Sequence, residues 1–209
     1  MNGMRVFLML ALFSVCSFLA AQESSHRAEI EQFRADYALK FKNSLSKAPL
    51  TADQLEQMDY FAPDSTYRLT ARFERTPDEQ PFEIPTSSGK TKPFVKYGIF
   101  KFQIAGKDYQ LAVYRNLRAT QMPIYRDLLF LPFQDLTNGD STYGGGRYID
   151  LKIGDIQYGS FVLDFNKAYN PYCAYGDGWN CPIPPIENIL DVAILAGEKV
   201  FEKEEGTKK

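Results

Sequence analysis

The apolar positions change their period more than once along this chain. Val6 to Leu19 is a run without charge that follows a short start carrying Arg5 and precedes Ala20, Ala21 and a polar stretch. From Ser25 to Leu45 the apolar residues Ile30, Phe33, Tyr37, Phe41 and Leu45 recur every three or four positions, with charged residues between them. That spacing predicts an amphipathic helix, ended by Pro49. Thr51 and Gln54 then stand as a capping box, with Leu50 and Leu55 placed as its hydrophobic staple, so a second, short helix is expected through about Met58.

Beyond this point the period switches to two. Tyr67, Leu69, Ala71 and Phe73 alternate with Arg68, Thr70, Arg72 and Glu74, the pattern of a half-buried strand. Phe82 and Ile84 suggest a short strand, and Tyr97 to Ile104 leads through Ala105-Gly106-Lys107-Asp108 into Tyr109, Leu111 and Val113. Glycine as the first central residue there would make a type II′ hairpin. Leu128–Phe133, Tyr148–Ile153, Phe161–Phe165 and Leu190–Leu195 supply further strands. Many short strands without long helices between them predict a mostly β fold, a single antiparallel β-sandwich or barrel-like domain behind one long and one short N-terminal helix. The expected division is a signal peptide over 1–21, a helical segment over 22–60, the β domain over 61–200 and a charged tail over 201–209.

The first segment has the charged start, apolar centre and small-residue end of a secretory signal, and its apolar run falls short of the roughly 20 residues a membrane span needs. Cleavage after Ala21 removes 21 residues, Arg5 among them, and leaves 188 with a formal charge of −3 instead of −2. An exported protein, periplasmic or extracellular and without a stable membrane span, is the expectation. Lipidation at Cys16 is disfavoured because Val15 stands where a small residue is wanted. The absence of a basic excess argues against nucleic acid as a partner. Cys173 and Cys181 survive cleavage, and export makes a disulfide between them the expected state, with a redox pair as the alternative. His26 is the single histidine and lies in a polar stretch expected to be exposed. Without it neither Ser-His-Asp nor Cys-His catalysis can be assembled, and no cofactor is called for.

Two polar stretches interrupt the strand pattern. The first runs from Asp135 to Tyr148. Its oxygen-bearing residues loosely follow a calcium loop, but Gly146 occupies the twelfth position, where such a loop needs Glu, so no metal is expected. Three glycines before Arg147 could present backbone N–H groups beside a fixed charge and hold an anion; otherwise Asp and Thr side chains cap the loop's own turns. The second stretch, Asp164 to Pro185, has no periodicity and carries Tyr169, Tyr172, Tyr175 and Trp179 along with both cysteines. Long ordered loops of this kind are uncommon and tend to be functional, although a cover over one end of the barrel fits equally.

These residues are recognisable. TYGGGRYID at Thr142–Asp150, the long run from Leu163 to Lys199 containing DFNKAYNPYCAYG, and MDYFAPDSTYRLTARFER at Met58–Arg75 resemble the bacterial family known as domain of unknown function 1684. The resemblance covers roughly residues 30 to 200 and implies no established activity. It implies a family hallmark of Thr137, Gly139, Thr142, Tyr143, Gly144, Gly146 and Arg147 in the first stretch. In the second the hallmark is Asp164, Asn166, Tyr169, Asn170, Pro171, Cys173, Tyr175, Cys181, Pro182 and Asn188. The glycine-rich surroundings of Trp179 depart from the more hydroxylated spacer of relatives.

Three functions follow. A binding module would hold a small anionic ligand on Thr142, Tyr143, Gly144, Gly146 and Arg147, beside Asn166, Tyr169, Asn170 and Tyr175. A histidine-independent hydrolase would use Asp164 or Asp150 as general base and Arg147 to stabilise an oxyanion. An envelope structural or interaction domain would bury the same groups in mutual hydrogen bonds.

Overall fold

A computed structural model of the chain describes residues 2–43 and 50–202. Helix α1 (Asn2–Asn43) and the single turn α2 (Ala52–Leu55) precede seven strands, β1 (Arg68–Arg75), β2 (Phe82–Pro85), β3 (Thr91–Ile104), β4 (Lys107–Asn116), β5 (Leu128–Phe133), β6 (Arg147–Lys152) and β7 (Ser160–Asp164). They form one antiparallel sheet in the order β6-β5-β4-β3-β1-β7, with β2 on the side of β3, curled into a half-barrel. A two-sheet sandwich is therefore not the arrangement: the described strands share a single sheet whose concave face is filled by the chain after β7.

Local chemistry explains most of the boundaries. The Thr51 hydroxyl accepts from the Gln54 N–H while the Gln54 side chain accepts from the Thr51 N–H, so the capping box closes as its spacing predicts. Leu50 and Leu55 are buried together. At the β3–β4 hairpin Ala105 and Gly106 have φ of 49° and 80°, between the paired Ile104 and Lys107. Two successive positive φ values make this a type I′ turn on Ala105-Gly106, one residue earlier than the type II′ reading.

The main core lines one sheet face, where Phe100, Leu111, Val113, Leu131, Ile149 and Leu163 meet Phe165, Leu190 and Ile194. A smaller cluster of Ile84, Phe94, Ala112 and Tyr114 covers part of the other face. The two join at a gap in the ladder. β4 and β5 pair at Tyr114↔Phe130, and Pro132 cannot donate to its neighbour. Asn188 fills the gap: its amide donates to the Ala112 and Pro132 carbonyls at 2.7 and 2.6 Å and accepts from the Ala112 N–H at 2.8 Å.

The expected strand at Leu190–Leu195 is instead irregular extended chain. Its backbone groups are taken by side chains and loops: the Ile194 N–H reaches Asp135, and the Ile194 carbonyl accepts from Arg147. Helix α1 lays Ile30, Tyr37 and Phe41 against the sheet and loops, as its stripe predicts, while Leu45 and Pro49 lie outside the described residues. Polar ties hold the same helix: Glu29 pairs with Arg68 and Lys167, and Arg34 donates to the Phe61 carbonyl.

Candidate functional site

Strand parity decides where the hallmark residues go. In β6, Arg147, Ile149 and Leu151 face the core, and Tyr148 and Asp150 point to the opposite side. Arg147 is unreachable by solvent. Its guanidinium pairs with Asp135 at 2.8 Å and donates to the carbonyls of Ile194, Ala196 and Glu198. Burial pulls its pKa down, opposed by the neighbouring Asp135. Asp135 in turn accepts from the Thr137 N–H and hydroxyl, and the hydroxyls of Thr137 and Thr142 meet at 2.8 Å. The anion site expected around Arg147 is closed to solvent: its Nη donors already face internal carbonyls and a carboxylate, its Nε is buried, and Asp150 cannot join it from the other face of the strand. The glycines serve close packing. Gly146, at φ 89°, approaches the Phe133 carbonyl so closely that a Cβ would lie 2.6 Å from it.

Glu198, unremarked in the sequence, extends this interior. It is 1% exposed and accepts from the Asn170 N–H and the Tyr175 hydroxyl. Burial pushes its carboxyl up to about 7, against those bonds and the charge of Arg147. Asn170 also donates to the Lys199 carbonyl. Asn170 and Tyr175 are therefore braces for the C-terminal segment and are closed to a ligand.

Asp164 is buried as well, at the far edge of the sheet from β6. Its partner is His26, whose Nε2 lies 2.8 Å from Asp164 Oδ2. The single histidine is thus 4% exposed, contrary to its polar sequence surroundings. The second carboxylate oxygen accepts from the Asn166 N–H and side chain, and Asn166 also bonds both backbone groups of Asp64. Asp164 and Asn166 lock α1 and the segment before β1 onto the sheet; they do not converge with Arg147 or Asp150.

The second stretch does build a cavity. Cys173 and Cys181 are bonded, with Cα atoms 6.3 Å apart. The stapled loop is tied to the β2–β3 turn: the Ser87 N–H reaches the Cys181 carbonyl, Ser88 donates to the Asn180 side chain, and Lys92 Nζ donates to the Asn180 carbonyl at 2.6 Å. Between this loop, α1 and the outer face of β3, β5 and β6 lies a cleft of about 700 Å³. Tyr37 and Lys40 of α1, Asp150, Tyr169, Tyr172 and Trp179 line it.

Asp150 lines the cleft on the outer face of β6 and is exposed to solvent there, with protein packed around it. Desolvation raises its pKa, opposed by a hydrogen bond from the Tyr169 hydroxyl and by the charge of Lys40. Burial likewise raises Tyr169 well above its ordinary value, reinforced by the Asp150 charge. Of the expected ligand residues, Tyr169 alone lines this cleft; Thr142 and Asn166 are buried, and Tyr143 packs beside Tyr37 and Tyr175. The lining also includes Tyr37, Lys40, Lys92 and Tyr148, which the hallmark does not include, although Tyr148 and Asp150 share the parity that β6 alternation assigns to one face. A larger open groove of about 980 Å³ follows β1, β3 and β4. Its charged members are already engaged, Lys101 with Glu74 and Glu187 with Lys96 and Tyr114. Among the described residues no group of acidic, Cys and His side chains is arranged to hold a metal.

Fold and cavity define a curled antiparallel half-barrel whose disulfide-stapled loop and N-terminal helix frame an aromatic cleft. The chain belongs to the family described as Protein of unknown function (DUF1684), which matches residues 53–199. The solution structure of an uncharacterized protein of Haloarcula marismortui is similar, with 29% identity and a TM-score of 0.59 over 89% of this chain and 96% of that one. No curated protein matches the chain.

Proposed function

We propose that this chain is an exported small-ligand-binding domain and that the cleft over Asp150 is its binding site. The observation that carries the reading is the convergence of the Asp150 carboxylate, the Tyr169 side chain and an aromatic loop held by a disulfide around a space of ligand size. The expected anion cradle at Arg147 gives way to this cleft, because Arg147 is spent inside the core.

Trp179 is the single tryptophan and lines the cleft, so its emission reports on occupancy. A library of small metabolites titrated against the protein, Asp150→Asn and Tyr169→Phe should yield compounds that shift Trp179 emission in the parent and bind more weakly to the variants. Hits that bind all three alike would remove the cleft from the reading. Export is tested separately: protein recovered from a secreting host should begin at Gln22. No helix among the described residues is long and apolar enough to cross a membrane.

Hydrolysis is the second reading, and the presence of Asp150 and Tyr169 side by side in the lining of one open cleft favours it. Asp150 is then the general base, without Arg147 or Asp164, which lie elsewhere. Turnover of ester or glycoside probes abolished in Asp150→Asn would establish it, and binding without turnover would reject it.

A further inference from the structure

We infer that the ligand of this cleft carries a positive charge, as an alkylammonium or quaternary ammonium group seated against Asp150; the inference rests on the binding reading above.

Asp150 is the one carboxylate lining the cleft among the described residues. Four tyrosines and one tryptophan, Tyr37, Tyr148, Tyr169, Tyr172 and Trp179, share the lining. The Asp150 charge acts on all four tyrosines, Tyr169 most strongly. These rings are not stacked in one plane. Tyr148 and Tyr169 stand at 89° with centroids 5.9 Å apart, Tyr37 and Tyr169 at 42° and 5.1 Å, and Tyr172 and Trp179 at 76° and 4.9 Å. Rings set at steep angles around a shared space form walls, and the negative faces of such walls attract a cation, most strongly where water is partly excluded. The Asp150 carboxylate in the same lining adds a full opposite charge. An anion placed there would meet both the carboxylate and the ring faces, which repel it.

The two lysines of the cleft fit the same assignment. Lys92 belongs to β3, three positions from β6 in the sheet, roughly 14 Å away at the usual strand spacing. Its ammonium is directed to the Asn180 carbonyl, so it braces the loop rather than facing Asp150. Lys40 acts on Asp150 from α1 and is itself exposed. Its charge acts on this carboxylate, and an incoming ammonium competes with that influence. Its long side chain can turn out to solvent when displaced.

The test uses three probes of similar size at constant ionic strength: choline chloride, its neutral isostere 3,3-dimethylbutan-1-ol, and sodium butyrate. Trp179 emission is followed in the full disulfide-bonded protein, in Asp150→Asn and in Lys40→Met. Choline should give a saturable shift, at least tenfold weaker for the neutral isostere and for Asp150→Asn. Lys40→Met should bind choline several-fold more tightly, because the internal competitor is gone. Butyrate binding that weakens in Lys40→Met would overturn the cation assignment and leave the cleft as a binding site. The neutral isostere binding as well as choline would do the same. If no probe binds, the cation assignment falls, and the wider metabolite screen alone decides the cleft. Lys40 is on the helix surface, so its variant keeps the test valid should Asp150→Asn fold poorly.

Discussion

Arg147 and Asp135 pair at 2.8 Å with neither side chain reached by solvent. The guanidinium also draws in three carbonyls of the segment 194–198, so a single side chain fastens the returning chain to the sheet. Breaking a buried pair by removing one partner leaves an uncompensated charge and costs about 3–5 kcal/mol. Arg147→Ala should therefore lower the calorimetric unfolding midpoint by roughly 10 °C, at the usual few degrees per kcal/mol for a protein of this size. Arg147→Lys should recover little, since an ammonium cannot span the carboxylate and three carbonyls as a planar fork does. An Arg147→Ala midpoint equal to that of the parent would show that the pair is not the fastening described.

The alternation that places Arg147 in the core was already present in the sequence. Arg147, Ile149 and Leu151 share parity in β6, and Arg147 and Asp150, three residues apart, cannot face one site from a strand. The resemblance to a polar family hallmark drew attention to residue types and away from that parity. The period-two segments, the helix stripe through Ile30, Tyr37 and Phe41, and the Thr51–Gln54 box were legible because each depends on residues close in the chain. The burial of His26 was not, because it depends on Asp164, which lies 138 positions away. Nor was the irregular course of 190–195, since its apolar pattern reads as a strand until Arg147 takes the Ile194 carbonyl and Asp135 the Ile194 N–H. The aromatic loop is legible as a long stretch without periodicity, as a ligand wall or a cover alike, while Lys40 and Tyr37 belong to a helix that only the tertiary fold sets opposite it.

Glu198 makes stability depend on pH in a definite direction. Burial raises its carboxyl to about 7 from an ordinary 4.5. The folded protein then holds this proton more tightly than the unfolded chain does. The resulting stabilisation is full below the unfolded value and is lost as pH rises through the folded one. At 1.36 kcal/mol per unit, the change across that window is about 3 kcal/mol. Urea midpoints measured at pH 5 and pH 8 should differ less in Glu198→Gln than in the parent, because the amide stays neutral, with its Oε1 accepting from the Asn170 N–H and its Nε2 donating to the Tyr175 oxygen. Equal slopes in the two proteins would place the pH dependence elsewhere.

His26 ties α1 to the sheet by its bond to Asp164. Truncation to alanine strands a buried carboxylate oxygen, a loss of about 1–3 kcal/mol. The effect should be felt first in the helix. Limited proteolysis of His26→Ala should cut between residues 27 and 41 faster than in the parent, before the sheet is attacked. Asp164→Asn should show the same ordering. Unaltered cleavage in both variants would mean that the apolar contacts of Ile30, Tyr37 and Phe41 suffice to hold α1.

The disulfide between Cys173 and Cys181 closes a short loop, for which chain entropy gives a stabilisation of about 2.5 kcal/mol. Its larger consequence lies in the cleft, because Tyr172 and Trp179, set edge to face at 4.9 Å, stand on or inside that loop. Hydrogen bonds from Ser87, Ser88 and Lys92 hold the loop's far end to the β2–β3 turn, so reduction should loosen the near end and leave the sheet folded. Under dithiothreitol, or in the double variant Cys173→Ser/Cys181→Ser, far-ultraviolet circular dichroism should be unchanged while Trp179 emission moves to the red. Affinity for any cleft ligand should fall by roughly tenfold, equivalent to about 1.4 kcal/mol of lost preorganisation. If reduction lowers the unfolding midpoint but leaves affinity and emission untouched, the bridge serves stability alone and the wall is held by the turn.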